Sequence, residues 1–243
     1  MVLNELIQRS PIRIFEQSIH GGLKPGEIGI IASEHGIGKT SVLVQLALDK
    51  LLQGRKVIHV SFTQQTQYVF SWYEDIFNEF TSKKNLENAE EIKNEVVKNR
   101  VLMNFNQDGM STDQITRSLR AMIVEGGFAA EAIIVDGLDF SRINRERIGG
   151  VRAFAAELGL AVWYSCTVTG DGTRQKSGQY DKRNIPLAVN DFEDLIDVVI
   201  VLEPKQDHIE LSVSKDRGAP DTKAMAMRLD PRTLLILERK END

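Results

Sequence analysis

The chain has 243 residues, of which 42% are hydrophobic and 27% charged, and these proportions are ordinary for a soluble globular protein. Its formal net charge of −5 argues against wholesale electrostatic binding to nucleic acid, although a local basic patch is compatible with it. The single cysteine, Cys166, rules out an intramolecular disulfide framework and fits a reducing compartment, so we expect a cytoplasmic protein.

The N-terminal segment predicts an arm followed by a turn-rich approach to the first strand. Residues 1–17 predict a short helix or arm, which Pro11 interrupts. Asn4 and Glu5 lie where a signal peptide would have its apolar core, and no apolar run reaches the roughly 18 residues that span a bilayer. We therefore expect no membrane partner. The pair at 25–26, Pro-Gly, predicts a tight turn directly before the first strand.

Residues 28–48 have the layout of a phosphate-binding loop. They read IGIIASEHGIGKTSVLVQLAL, in which an apolar strand enters a loop of small residues and an apolar helix follows. Backbone N–H groups in such a loop, together with the positive end of the helix, bind the oxygens of a triphosphate. Lys39 is then expected to reach the β- and γ-phosphates, and the Thr40 hydroxyl to ligate Mg²⁺.

The residues expected to line the triphosphate are continuous in the chain. They are Ser33, Glu34, His35, Gly36, Ile37, Gly38, Lys39, Thr40 and Ser41. Ser33 departs from the pattern G-x-x-x-x-G-K-S/T, which has glycine at its first position. The alternative interpretation is an ordinary turn that contains Gly-Lys-Thr. We favour nucleotide binding because strand, loop and helix occur in the required order.

The chain then alternates predicted helices and strands. Helices are predicted at 40–53, 68–80, 86–97, from 111 to about 125, and at 148–158. Strands are predicted at 56–62, 101–105, 132–136 and 160–165. Ser111 and Gln114 predict a capping box at the start of their helix.

The apolar strand at 132–136 ends in an acid, Asp136. An isolated carboxylate is costly to bury there, whereas a carboxylate beside Mg²⁺ is stabilised by the ion. Asp136 is therefore the predicted Walker B residue, which binds the metal. The alternative is that Asp136 caps a turn.

The C-terminal part of the chain predicts strands without helices, at 197–202, 208–214, 225–229 and 233–237. The long polar segment 167–189 before them predicts a functional or mobile loop. Right-handed crossovers between the earlier strands predict an α/β fold with a mostly parallel central sheet and helices on both faces. The final strands extend that sheet in antiparallel fashion.

Several landmarks occur in the order found in the RecA superfamily of P-loop ATPases, and the chain resembles its branch of DnaB-like helicase cores and KaiC- or RadA-like ATPases. The landmarks are GGLKPGE at 21–27, the phosphate-binding loop, GRKV at 54–57, the strand ending in Asp136, DLIDVVIVL at 194–202 and KDRG at 215–218. The resemblance covers residues 15–236 and implies a RecA-like ATPase domain at 18–243 after an arm at 1–17. A non-glycine residue at the position of Ser33 also occurs in the DnaB-like branch.

The resemblance implies that the cofactors are ATP and Mg²⁺ and that two further residues are catalytic. Lys215 and Arg217 are similar to the family's K-x-R pair, which reaches the ATP of a neighbouring subunit. Such an arginine stabilises the negative charge that spreads over the γ-phosphoryl oxygens. The implied assembly is a homo-oligomeric ring or filament. The alternative is a pair of exposed charges in a hairpin turn.

The glutamate that the family carries after the second strand is missing from this sequence. Residues 60–65 read VSFTQQ, and no acid follows until Glu74. Gln64 or Gln65 is a candidate for orienting the attacking water, as glutamine does in some GTPases, and Asp139 is a candidate substitute base. The alternative is slow or absent hydrolysis, which leaves a nucleotide-dependent switch or scaffold. A kinase is a weaker alternative because no substrate-binding constellation is evident.

Basic residues concentrate in two predicted loops that, in RecA-like proteins, line the channel or axis that holds DNA. They are Arg142, Arg145, Arg147 and Arg152 in the first loop and Arg174, Lys176, Lys182 and Arg183 in the second. Tyr180 is available to stack on a base. This concentration favours contact with single-stranded DNA or RNA. The alternatives are a solvated loop and an assembly interface.

Overall fold

The computed structural model of the chain describes residues 10–62, 66–82, 89–168, 179–218 and 223–239, together with residue 7. Within these ranges nine strands form one sheet in the order β3-β2-β4-β5-β1-β6-β7-β8-β9. The strands are β1 Ile28–Ser33, β2 Lys56–Ser61, β3 Arg100–Asn104, β4 Ala130–Asp136, β5 Ala161–Thr167, β6 Val198–Pro204, β7 Ile209–Asp216, β8 Lys223–Leu229 and β9 Ile236–Glu238.

The sheet is parallel from β3 to β6 and antiparallel from β6 to β9. This confirms the predicted α/β fold with a mostly parallel core and antiparallel C-terminal strands. Every residue of β1 is buried, as expected for a central parallel strand covered on both faces. Because the first six strands run the same way, β1, β4 and β5 end together at one edge of the sheet, which we call the carboxyl edge.

Helices cover both faces of the sheet. The α-helices are α1 Pro11–Ser18, α2 Lys39–Leu52, α3 Thr66–Ser82, α4 Ala89–Lys98, α5 Thr112–Arg120 and α6 Arg145–Leu158. Ala121–Glu125 forms a π-helix, and Phe140–Arg142 and Leu187–Leu195 are 3₁₀-helical. One apolar layer contains buried side chains of α1 to α4, and the other contains those of α5, α6 and the Leu187–Leu195 helix. None of the helices in the described ranges is long and apolar enough to cross a membrane.

The N-terminal segment is interrupted at Pro11, as predicted. Residue 7 is helical, Ser10 is not, and a new helix begins at Pro11, whose missing N–H is not needed at the first position, with Ser10 as its cap. Ile12 and Phe15 are buried in the core, so α1 packs as part of the fold. The predicted domain boundary at 17–18 falls near the end of α1.

Two other local predictions have clear outcomes. Ser111 and Gln114 form the predicted capping box, with both reciprocal bonds present. The long polar segment is described only at its ends, since residues 169–178 lie outside the described ranges. Its last part is not irregular, because the 3₁₀-helix begins at Leu187.

Candidate functional site

The loop between β1 and α2 depends on two glycines. β1 ends at Ser33 and α2 begins at Lys39, and between them Gly36 and Gly38 have φ angles of 80° and 109°. L-residues rarely adopt such angles, whereas glycine does so at little cost. These glycines therefore allow the chain to turn at the carboxyl edge and to enter α2 with its N–H groups facing the loop.

Lys39 is buried within this loop. Its Nζ donates to the Ser33 carbonyl at 3.1 Å, the Ser33 hydroxyl at 3.2 Å and the Glu34 carbonyl at 2.7 Å. Burial lowers the pKa of Lys39 to about 8, against the opposing effects of Cys166 and Asp136. The lysine thus carries a positive charge at neutral pH whose acceptors are neutral groups of the loop. An anion in the loop would offer it a stronger acceptor.

Thr40 and Asp136 meet at the carboxyl edge, although they are far apart in the chain. The Thr40 hydroxyl donates to Asp136 Oδ2 at 2.8 Å, and the Asp136 side chain is buried. β4, which ends in Asp136, is separated from β1 by β5 alone in the strand order. The structure therefore brings together the hydroxyl and the carboxylate that were both predicted to bind a metal.

Ser165 near the end of β5 fixes the chain just beyond Asp136. The Ser165 hydroxyl accepts a hydrogen bond from the Gly137 N–H at 3.0 Å. This holds the backbone that follows β4 against the strand that lies between β4 and β1. Ser165 was not predicted, because a serine inside an apolar strand is not distinctive in a sequence.

A C-terminal turn lies against the phosphate-binding loop, and this contact was not predicted from the sequence. We call residues 230–235, between β8 and β9, the C-terminal turn. The Ser41 hydroxyl donates to the Leu234 carbonyl, and Gln45 Nε2 donates to the same carbonyl at 2.9 Å. The Ile236 N–H donates to Gln45 Oε1 at 2.8 Å. The amino end of α2 is therefore bonded directly to the C-terminal strands.

His59 is a buried histidine on β2, the strand beside β4. Its Nδ1 lies 3.1 Å from the Tyr73 hydroxyl, and its Nε2 has no hydrogen-bond partner within the described residues. Burial lowers the pKa of His59 to about 4; the charge of Asp136 opposes this shift and that of Arg100 adds to it. The ring is therefore neutral at pH 7. The sequence analysis did not identify this residue.

The other predicted loop residues have no contact that indicates chemistry. Glu34 and His35 are exposed, and Ile37 is half-buried against the core. Cys166 is buried at the end of β5, and burial raises the pKa of its thiol to about 12. Cys166 is therefore a thiol that packs at a strand end and remains protonated.

Arg217 lies at the edge of the sheet opposite the phosphate-binding loop. Its Nε donates to Glu27 Oε1 at 2.9 Å, and Glu27 directly precedes β1. Its other acceptors are the Glu27 Oε2 at 2.5 Å, the Gly22 carbonyl at 2.8 Å, the Ile19 carbonyl at 3.1 Å and the Asp216 carboxylate. Lys215 Nζ donates to the Glu193 carbonyl at 2.5 Å. Both residues are bonded within their own chain, and their action on the ATP of a neighbour stays a prediction.

Most of the described basic residues in the predicted nucleic-acid loops contact acids. Arg142 pairs with Asp108, Arg145 with Asp194 at 2.5 Å, Arg152 with Asp197 at 2.6 Å, and Arg183 with Asp181 at 2.8 Å and Glu193 at 2.5 Å. Arg147 donates to the Arg142 carbonyl at 3.3 Å, and Lys182 is exposed. Arg174 and Lys176 lie outside the described residues. Contact with DNA or RNA stays a prediction, and these acids reduce the positive charge available for it.

The candidates for water activation gain no support from the described contacts. Gln64 and Gln65 lie outside the described residues. Asp139 Oδ1 accepts from the Ser141 N–H at 3.0 Å and from its hydroxyl at 2.7 Å, so this carboxylate caps the 3₁₀-helix. The Gln107 amide bonds both the N–H and the carbonyl of Asp139 at 2.9 Å. Asp139 thus caps a helix, and its role as a substitute base stays a prediction.

The described residues contain no group of three or more His, Cys, Asp and Glu side chains positioned to hold a metal ion. Thr40 and Asp136 supply two oxygen groups, and Mg²⁺ commonly takes only one or two protein carboxylates and keeps several waters. No protein-family model matches the chain, and no curated protein matches it either. The functional interpretation therefore rests on the geometry at the carboxyl edge.

Proposed function

We propose that this protein is an ATP-binding, ATP-hydrolysing enzyme of the RecA-like, DnaB-related kind that acts as a homo-oligomer. The observation that supports this best is the 2.8 Å bond between the Thr40 hydroxyl and Asp136, beside a glycine loop that contains a buried lysine. The phosphate-binding motif predicts that Thr40 ligates Mg²⁺. The position of Asp136 at the end of an apolar strand predicts that it binds the same ion. Their meeting across the intervening strand β5 is not expected of an ordinary Gly-Lys-Thr turn.

Two features of the loop support the binding of a triphosphate. The residue before α2 is Gly38, which has no side chain and so cannot cap this 14-residue helix. The first N–H groups of α2 therefore receive no bond from a capping side chain at this position. A Cβ on Gly36 would meet no atom within 4 Å, which shows that the loop has open space on that side. An anion at this position also benefits from the positive end of the helix.

Each residue of the site has a distinct role in this proposal. Lys39, protonated at neutral pH, exchanges its carbonyl acceptors for β- and γ-phosphate oxygens. Thr40 and Asp136 hold Mg²⁺, which would neutralise phosphate charge during phosphoryl transfer. Ser165 keeps Asp136 in place through the Gly137 N–H. Among the described residues, no candidate for activating the attacking water has a contact that supports this role.

Binding of Mg²⁺ and a fluorescent ATP derivative tests the proposal. The Lys39→Ala variant is expected to lose at least tenfold in affinity, since a desolvated charge-assisted contact to phosphate is worth more than about 1.4 kcal/mol. Lys50→Ala is the matched control, because Lys50 lies at the other end of α2 and its Nζ is bonded to Glu16 at 2.9 Å. Equal affinity of wild type and Lys39→Ala would show that the loop does not hold the phosphates.

A second candidate function is a nucleotide-dependent switch with little hydrolysis. Two observations favour it: the Asp139 carboxylate caps a helix, and the Arg217 guanidinium is bonded within its own chain. Phosphate release, measured with and without single-stranded DNA, separates the candidates. Turnover that DNA stimulates supports a motor acting on nucleic acid. No turnover under any condition, by a protein that binds ATP, supports the switch.

A further inference from the structure

The Ser41 hydroxyl has one acceptor in the structure, and the proposed function offers it a second. Ser41 follows Thr40 at the amino end of α2, and in the structure its hydroxyl donates to the Leu234 carbonyl of the C-terminal turn. In the proposed function, Ser41 also borders the phosphates. A serine hydroxyl has one proton and therefore one donor bond to give. It cannot donate to Leu234 and to a phosphate oxygen at the same time.

Gln45 provides a second donor to the same carbonyl. It lies one helical turn after Ser41, on the same face of α2. Gln45 Nε2 is 2.9 Å from the Leu234 carbonyl and 3.2 Å from the Ser41 hydroxyl oxygen. Its Oε1 accepts from the Ile236 N–H at 2.8 Å. The Gln45 side chain thus contacts the Ser41 hydroxyl, the Leu234 carbonyl in the C-terminal turn and the Ile236 N–H at the start of β9.

The backbone of the C-terminal turn is strained at Leu234. Leu234 has a φ of 55°, a region that a bulky L-residue adopts only when the surrounding structure holds it there. Inside the turn, the Leu234 N–H donates to the Asp230 carbonyl at 2.7 Å, and the Asp230 N–H donates to the Leu235 carbonyl at 3.0 Å. Two side chains of the turn also accept bonds within it, Asp230 Oδ1 from the Arg232 N–H at 2.9 Å and Thr233 Oγ1 from the Leu235 N–H at 3.5 Å. These internal bonds and the donors from α2 together hold the strained leucine.

We propose that the Ser41 hydroxyl changes acceptor when nucleotide binds, from the Leu234 carbonyl to a phosphate oxygen, and that Gln45 is the positioning residue that then holds the C-terminal turn. The inference rests on the proposed function of the loop. It makes Gln45 the link between nucleotide occupancy and the C-terminal strands. Without Gln45, binding of nucleotide removes the last donor from α2 to Leu234 and loosens the turn, which then keeps only its internal bonds.

Hydrogen–deuterium exchange of the amides at Asp230 and Leu234 tests this inference, because both are bonded inside the turn. The proteins are wild type, Gln45→Ala and Gln53→Ala, each with and without Mg²⁺ and a non-hydrolysable ATP analogue. In wild type the nucleotide is expected to leave this exchange unchanged. In Gln45→Ala it is expected to speed exchange by roughly two- to tenfold, the factor for one lost hydrogen bond. Gln53→Ala, whose amide bonds Asp49 at the far end of α2, should behave like wild type.

A merely structural role for Gln45 predicts faster exchange by the same factor with and without nucleotide. That result, in a Gln45→Ala protein that binds the nucleotide, would overturn the inference. Gln45→Met keeps the volume of the side chain and is the second variant if the alanine protein does not fold. Failure of wild type to bind nucleotide would overturn the proposed function and this inference with it, so the two failures are distinguishable.

Discussion

At the scale of a single residue, burial of the charged Lys39 in the phosphate-binding loop lowers the stability of the folded chain. Its ammonium group is buried and donates to two carbonyls and a hydroxyl, none of which is charged. Neutral acceptors do not fully replace water around an ammonium ion. The pKa of about 8 expresses this cost, because burial disfavours the charged form. Sites that bind an anion commonly contain a group with such a perturbed pKa, although structural groups also do.

Replacing Lys39 with methionine is expected to change how stability depends on pH. Burial lowers the pKa of Lys39 from 10.5 to about 8, so between these values the unfolded chain binds more protons than the folded chain. The wild type therefore gains stability as the pH rises from about 8 to 10.5, and the Lys39→Met protein lacks this gain. Urea unfolding of both proteins across this range measures the difference. A gap in the free energy of unfolding that is constant with pH would contradict the burial of a charged Lys39.

At the scale of elements, the phosphate-binding loop and β8 are in contact through Gly38 and Leu229. A Cβ on Gly38 would lie 2.6 Å from Cδ2 of Leu229, a distance that atoms do not tolerate. Gly36 also has a positive φ, but a Cβ there would meet no atom within 4 Å. The two glycines therefore separate the effect of backbone strain from that of crowding.

Alanine at each glycine tests this contact. Gly36→Ala is expected to cost about 1–2 kcal/mol of stability, the strain of a left-handed L-residue. Gly38→Ala should cost a further 1–3 kcal/mol, roughly, because the methyl group collides with Leu229. Thermal and urea unfolding measure both variants. Leu229→Ala alone is expected to cost about 2–5 kcal/mol because Leu229 is fully buried, but it should cost less in the Gly38→Ala background, where it removes the collision. A purely additive double variant would contradict the collision.

The elements that the sequence predicted best are those whose signal is local. The loop, its glycines and Asp136 at the end of an apolar strand are each readable within a few residues, and parallel strands require their ends to share an edge. Gln45 was not predicted, because its partners Leu234 and Ile236 lie about 190 positions away and the strand order alone brings them near. The last strand was predicted from 233, but it begins at Ile236 since Leu234 adopts a positive φ that leucine does not signal.

At the scale of the whole molecule, charged residues that suggested external partners join elements of the chain. Arg145 and Arg152 on α6 are paired with Asp194 and Asp197, near and after the end of the Leu187–Leu195 helix. The composition of a loop does not reveal such pairing, because the acids come from a segment more than 40 positions away. A basic loop in a sequence therefore indicates a nucleic-acid surface only when its acids are known to lie elsewhere.

Arg217 is another charged residue that suggested an external partner and is bonded within its own chain. Its guanidinium connects the segment before β1 to the end of β7, at the edge opposite the phosphate-binding loop. A residue at that edge cannot reach the loop of its own chain, so in the proposed ring or filament it would have to act on the loop of a neighbour. To do so it must leave Glu27 and the Gly22 carbonyl, which are bonded to it at 2.9 and 2.8 Å. Assembly and the release of Arg217 are therefore linked in this proposal.

Mixing two inactive variants tests whether Arg217 acts on a neighbouring subunit. Lys39→Ala keeps Arg217 but lacks the loop lysine, and Arg217→Ala keeps the loop but lacks the arginine, so neither is expected to release phosphate. In a mixed oligomer, an Arg217→Ala subunit next to a Lys39→Ala subunit has a complete site, and turnover is expected to return to a sizeable fraction of wild type. Phosphate release across mixing ratios measures this. Full turnover by the Arg217→Ala protein would show that the arginine does not act on a neighbouring ATP. Lower stability of the same protein would then assign Arg217 to the fold alone, since hydrogen bonds that involve charged groups are each worth about 1.5–3 kcal/mol.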